Sequence, residues 1–388
     1  MYDVVVLLFA VSVAVAILLI FKGVSVAIAI LVAFLLYSTP LLQAQLVDVV
    51  VSSLNASTAS TVVSLVLALY LANLYKSQRA SEELVKGLSN IGPRVAGVLV
   101  PAIVGLLPMP AGAYISAVMV HSIYDKLGLN REQMTYINYW FRHIWVPIWP
   151  LYQGIILAAG LLGRSVVEVV VWTWPIALAS LVSGVLVAGF YVFRGKSCAG
   201  SKGSVRGVIH VWPFALLSAL TLVSHVPVYL AALVSIVLFT VVYRVHWREA
   251  LKNLYRALDV NLIALVVLSM FFGESMRVTG LTQHLVGIVG EAFTPLLLFF
   301  LPFCIVLATG FEFTFVVLAF PPLKPLLSGW GLTIAYLGGF LGAMLSPSHA
   351  CLVMSTRYFG AKIQGVYRYL VPSVAVTAAI TVLIVVAH

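Results

Sequence analysis

The sequence predicts an all-α polytopic membrane protein, arranged as an inverted repeat with five transmembrane helices plus one re-entrant hairpin per half. Three observations predict it. Hydrophobic residues make up 62% of the chain and charged residues only 9%, against about a quarter charged in a soluble domain. Apolar runs of about 17–25 residues, enough to cross a hydrocarbon core of roughly 30 Å, recur from end to end. Two matching breaks also stand at a near-constant offset along the chain. Lipid is therefore the expected solvent. Backbone in lipid must satisfy its own hydrogen bonds, which leaves helices or closed barrels. The unbroken runs Val4–Phe21 and Val371–Ala387 lack the alternation of a barrel.

In chain order, the first spans are expected near Asp3–Phe21, Val24–Thr39, Ser57–Tyr75, Tyr139–Leu162 and Val166–Phe193. The second set is expected near Val208–Ser224, Val226–Tyr243, Asp259–Gly273, Leu332–Thr356 and Val366–Ala387. The first span lacks a basic leader and a small-residue cleavage site, so it reads as a retained helix and not a signal peptide. Two further stretches are too short for simple spans. Pro93–Leu107 runs into Pro108-Met109-Pro110-Ala111-Gly112-Ala113 and then continues apolar to His121. About 14 helical residues reach only roughly 20 Å, and proline removes amide donors. The same shape recurs at Thr294–Leu307, Ala308-Thr309-Gly310-Phe311-Glu312 and Phe313–Leu323. Each reads as a re-entrant hairpin with its tip near mid-membrane, where irregular backbone is tolerated only inside protein or beside a wet cavity.

Lys and Arg test this topology. With the N-terminus outside and both hairpins returning to their side of entry, most cations fall inside. These are Lys22; Lys76, Arg79, Lys86 and Arg94; Lys126 and Arg131; and Arg194, Lys196, Lys202 and Arg206. They continue with Arg244, Arg248, Lys252 and Arg256, and with Arg357, Lys362 and Arg368. Only Arg164, Arg277 and Lys324 lie outside, and both termini do too. The net charge of +10 is thus topological. No basic arm exists for nucleic acid, and none is expected as a partner. The organisation is a first repeat over 1–193 with a hairpin at 93–121, a cytoplasmic linker over 194–206, and a second repeat over 207–388 with a hairpin at 294–323.

After each hairpin comes a span broken by proline, at Trp145-Val146-Pro147 and at Leu345-Ser346-Pro347. A broken helix frees carbonyls for cations and N–H groups for anions, and inverted repeats place binding sites at such breaks. The expected substrate-binding residues are Pro108, Met109, Pro110, Ala111, Gly112, Arg142, His143, Thr309, Gly310, Ser346, Pro347, Ser348 and His349. Glu312, with Thr309 and Ser348, is expected at the coupling ion. Intramembrane charge is the sharpest signal, because it costs several kcal/mol. Arg142 would attract an anion and Glu312 would bind a cation, or the two would form a structural ion pair. His143 and His349 titrate near neutral pH and could relay protons or simply pack. The tryptophans Trp140, Trp145, Trp149, Trp172 and Trp174 suit interface belts and packing. Cys198, Cys304 and Cys351 show no metal-ligand or redox spacing; Cys304 and Cys351 read as small core residues, and no metal is expected.

At Leu107-Pro108-Met109-Pro110-Ala111-Gly112-Ala113, at Asn138-Tyr139-Trp140-Phe141-Arg142-His143-Ile144-Trp145 and at Ser346-Pro347-Ser348-His349-Ala350-Cys351-Leu352, the chain resembles the ion transporter superfamily. That group includes citrate, dicarboxylate, gluconate and arsenite carriers, and the likeness is closest to an uncharacterised prokaryotic integral-membrane family within it. The Ser-Asn-Thr signature of the sodium-dicarboxylate carriers is absent from both tips. The resemblance implies a scaffold that dimerises, elevator movement, and an anionic substrate coupled to sodium or protons.

The expected function is secondary transport of a small organic anion across the cell membrane, driven by a proton or sodium gradient with no further cofactor, by a homodimer in the lipid bilayer. One rival is an inorganic cation/proton antiporter in which Glu312 binds the ion. Another is a membrane-embedded enzyme, against which stands the lack of an H-E-x-x-H or serine-nucleophile motif. No catalytic residue and no P-loop is expected.

Overall fold

Long runs of Leu, Ile, Val and Ala with few breakers give helix wherever the chain is apolar, and the computed structural model bears out an all-helical chain. It describes residues 2–78, 80–106, 112–194 and 206–387, with no strand among them. The hairpin-tip residues Pro108, Met109, Pro110 and Ala111, and linker residues 195–205, lie outside the described residues. Eight described helices are long and apolar enough to cross a membrane, as a multi-pass membrane protein requires. Polar residues set the starts. Asn55 Oδ1 accepts from the Ser57 and Thr58 amides at the head of Ala56–Ser77. Asn130 and Gln133 close a reciprocal capping box before Arg131–His143.

Several expectations need correction. The second hairpin's first arm does not stop at Leu307. Its helix runs Thr294–Thr309 and, with a preceding 3-10 turn, makes a 19-residue apolar segment long enough to cross. Pro302 sits inside it, and the end comes only where Gly310 turns left-handed at φ +74°, a conformation that suits glycine. Cys304 is exposed rather than packed in a core. The basic segment after Tyr243 carries a helix, Trp247–Ala257, whose Trp247, Leu251 and Tyr255 recur every four residues and are exposed. Gln45–Ser53 is a further short helix.

The described chain divides into two compact units, and each takes segments from both halves of the sequence. The first comprises Met1–Val66, Gln153–Trp172 and Leu258–Ser346. At its centre Trp330–Leu345 packs against Thr294–Thr309 at close range. A Cβ at Gly338 would strike the Phe299 carbonyl, and one at Gly342 the Phe303 carbonyl. This small-xxx-small spacing lets helix backbones approach where no hydrophobic effect drives them together. Lysine and arginine tie the Gln153–Trp172 segment in: Lys324 Nζ donates to the Leu161 carbonyl (2.7 Å) and Arg164 to that of Leu327 (2.7 Å).

The second unit comprises Leu67–Tyr152, Thr173–Ala257 and Pro347–His388. Here the helices Pro93–Gly105 and Gly112–Leu127 fold back on each other. Tyr124, near the end of the second, donates its hydroxyl to the Gly97 carbonyl near the start of the first (2.8 Å). Buried hydroxyls knit the long helices, with Tyr136 to Ser373 at 2.6 Å and Ser183 to Thr377 at 2.8 Å.

Gly338→Val and Gly342→Val are each expected to cost about 1–3 kcal/mol through overpacking, seen as a lowered melting temperature in detergent. Gly287→Ala, where a Cβ meets nothing within 4 Å, should leave melting unchanged. Equal melting of all three variants would contradict the close approach.

Candidate functional site

The helix Arg131–His143 ends in a run of turns over residues 144–152. Pro147 and Pro150 lack amide donors and cannot continue the ladder. Arg142 and His143 therefore occupy its last turn, where the negative end of the helix dipole favours cations. Both are buried, as is His349, with exposures of 5%, 1% and 4%. Glycine makes room for Arg142. A Cβ at Gly105 would strike the Arg142 carbonyl, and one at Gly112 would overlap its guanidinium.

Gly112 is the first residue of the helix Gly112–Leu127. Arg142 Nη1 also reaches Cys351 Sγ at 3.5 Å. Cys351 is the second residue of the helix Ala350–Phe359, for which His349 is the N-cap. Two helix N-termini thus adjoin one guanidinium. Each N-terminus carries partial positive charge and amides without helical partners, so the arrangement suits an anion.

Around this group, His143 Nδ1 lies 2.6 Å from the Tyr139 carbonyl. A carbonyl only accepts, so Nδ1 carries the hydrogen. The rings of His143 and His349 meet edge to face at 5.1 Å. One ligand atom from each of His143, His349 and Cys351 falls within 4.8 Å of the others.

Asn138, one turn before Arg142, braces the elements. Its amide donates to the Ala113 carbonyl (3.0 Å) and Ser355 Oγ (2.9 Å), and its oxygen accepts from Ser116 (2.7 Å). The end of the Pro93–Gly105 helix is held as well. Trp145 Nε1 donates to the Ala102 carbonyl and Trp149 Nε1 to that of Leu106, both at 2.8 Å. Trp140 donates to the Ser180 carbonyl at 2.9 Å. All three indoles donate to backbone carbonyls, and Trp140 and Trp149 are buried in packing.

Of the residues expected from sequence, Arg142, His143, His349 and Gly112 belong to one neighbourhood in the second unit. Pro347 and Ser348 are exposed just before His349. Thr309, Gly310, Glu312 and Ser346 belong to the first unit. There Thr309 shares a hydrogen bond with Thr314 (2.6 Å) and Ser346 donates to the Leu307 carbonyl (2.9 Å). Glu312 is half-buried. Sequence reasoning missed Cys351 and Asn138. The available signal was two polar pairs at helical spacing, Asn138 with Arg142 and Cys351 with Ser355, each placing both members on one face of a helix.

The chain belongs to the family described as "Protein of unknown function (DUF401)", which matches residues 2–387. No curated protein matches it.

Replacing Asn138 by leucine would remove three hydrogen bonds from buried groups at Ser116, Ser355 and Ala113, each contributing about 0.5–1.5 kcal/mol. A melting temperature several degrees lower is the expected outcome. An unchanged one would show that Asn138 does not brace the site.

Proposed function

We propose that this protein is a secondary active transporter of a small organic anion, coupled to a proton or sodium gradient. The observation that carries the reading is the buried Arg142 guanidinium set against the N-termini of Gly112–Leu127 and Ala350–Phe359. A substrate carboxylate suits this place: the guanidinium fork offers two parallel hydrogen bonds, and the helix amides serve its remaining lone pairs.

Two features support a carrier over a static anion site. The boundaries between the units recur along the chain: those after Val66 and Ala257 lie 191 residues apart, and those after Tyr152 and Ser346 lie 194 apart. A near-constant offset is what an inverted repeat would produce, with each unit exchanging matching segments with the other half. Both units also tie the end of a hairpin's first arm to the following broken span, through Trp145 and Trp149 to Ala102 and Leu106 and through Ser346 to Leu307. Kinship with the ion transporter superfamily, elevator movement, a homodimer in the cell membrane and both termini outside are parts of this proposal. In it Arg142 holds the substrate, His143 and His349 exchange protons, and Glu312 with Thr309 takes the coupling ion.

Purified protein should gain melting temperature with some organic acids in a screen run with and without sodium, because ligands that bind the native state stabilise it. Arg142→Gln should abolish that gain and Arg142→Lys restore part of it, since an ammonium lacks the bidentate fork. A full ligand response in Arg142→Gln would refute the assigned role. The topology has its own check in intact cells. A cysteine replacing Lys202 should resist an impermeant maleimide, while one added after the C-terminus should react; the reverse pattern would overturn the orientation.

A further inference from the structure

We infer that His143, His349 and Cys351 form a binding site for a thiophilic transition-metal ion, with zinc(II) the best-matched probe. Two imidazoles and a thiolate are a donor set for zinc, whose bonds are about 2.0–2.1 Å to nitrogen and about 2.3 Å to sulfur. The three donor atoms lie within 4.8 Å of one another, so a small inward movement brings them to one centre. His143 is oriented for the task. Its Nδ1–H donates to the Tyr139 carbonyl, which holds the ring and makes Nε2 the nitrogen that would coordinate, the usual outer arrangement of a metal-bound histidine. His349 and Cys351 sit two residues apart at the head of one helix, and Asn138 ties that helix through Ser355 to the helix that carries His143. On binding, the Cys351 S–H bond breaks, the sulfur pair forms the metal–sulfur bond and the proton leaves to water, so affinity falls as the pH falls.

Arg142 sets the character of the site. Its guanidinium donates to the same sulfur and is repelled by a bound cation. With thiolate, guanidinium and a divalent ion together, two positive charges remain. Three protein ligands leave the fourth position of a tetrahedral ion open, and an anion there would offset the excess. That last step alone rests on the carrier reading; metal binding does not.

The test uses zinc chloride and cobalt(II) chloride on the purified full chain. After exposure and washing, zinc content should be about one ion per chain, as expected of a site with three protein ligands. Cobalt should give a thiolate-to-metal charge-transfer absorption. Cys351→Ser should lose that absorption and Cys304→Ser keep it. Arg142→Gln should bind zinc more tightly, by on the order of tenfold, since a charge close to the ion is removed, although the same variant loses organic-acid stabilisation under the carrier reading. Absence of zinc from the wild type, or a cobalt absorption that survives in Cys351→Ser, would overturn the site. If Cys351→Ser fails to fold, zinc protection of Cys351 from maleimide in the wild type decides, read by peptide mass spectrometry. Protection supports the site, and unchanged labelling rejects it.

Discussion

The structure depends on one constraint: hydrocarbon offers no partner for a free backbone carbonyl, so every interrupted helix must find one within the protein. The breaks meet it with side chains placed nearby. Trp145 and Trp149, one turn apart, donate to the Ala102 and Leu106 carbonyls at the end of the Pro93–Gly105 helix. At the second break Ser346 does the same for Leu307. The indole thereby does two jobs, filling apolar volume and supplying the single donor that the frayed helix end lacks. Proline interrupts the span and an adjacent donor repairs the helix that faces it.

Close backbone approach follows from the same solvent. Between apolar helices in lipid there is little hydrophobic gain, so contact depends on shape. Gly338 and Gly342 bring one helix onto the carbonyls of Phe299 and Phe303. Gly105 and Gly112 bring the ends of two helices onto Arg142. In the first case the result is rigidity. In the second it is a cationic group enclosed by helix ends, and enclosure strengthens every charge interaction the group makes.

The same cluster offers positive charge to an anion and soft donors to a metal, and anion and metal can be held together because they use different atoms; only proton exchange by the imidazoles is incompatible with a bound metal, since both need the same lone pairs. Arg142 and the helix amides are donors only, whereas the imidazoles and thiolate give electron pairs. Asn138 holds both sets together through contacts with three residues on two other helices. A site of this kind is sensitive to helix register: moving any of its helices by a fraction of a turn separates the groups.

Much of the fold was legible in the chain. Apolar runs mark helices because lipid leaves the backbone no other choice, and Pro and Gly mark breaks because they lack a donor or favour a left-handed turn. The charges flagged the site, since Arg142 had no business in an apolar run without a use. Less was legible where continuity depends on packing: Pro302 passes inside a helix, so the arm ending at Gly310 is longer than breakers alone suggested. Cys304 and Cys351 look alike in sequence, each a cysteine in an apolar stretch. Only the tertiary structure separates them, turning Cys304 outward and setting Cys351 beside Arg142 and two histidines. The donors at 143, 349 and 351 are about two hundred residues apart in part, and no local spacing rule reaches that far. Sequence alone determined the long apolar helices and the main proline and glycine breaks, because those are local responses to solvent; which breaks meet, and so which atoms share a site, is decided by packing between distant helices.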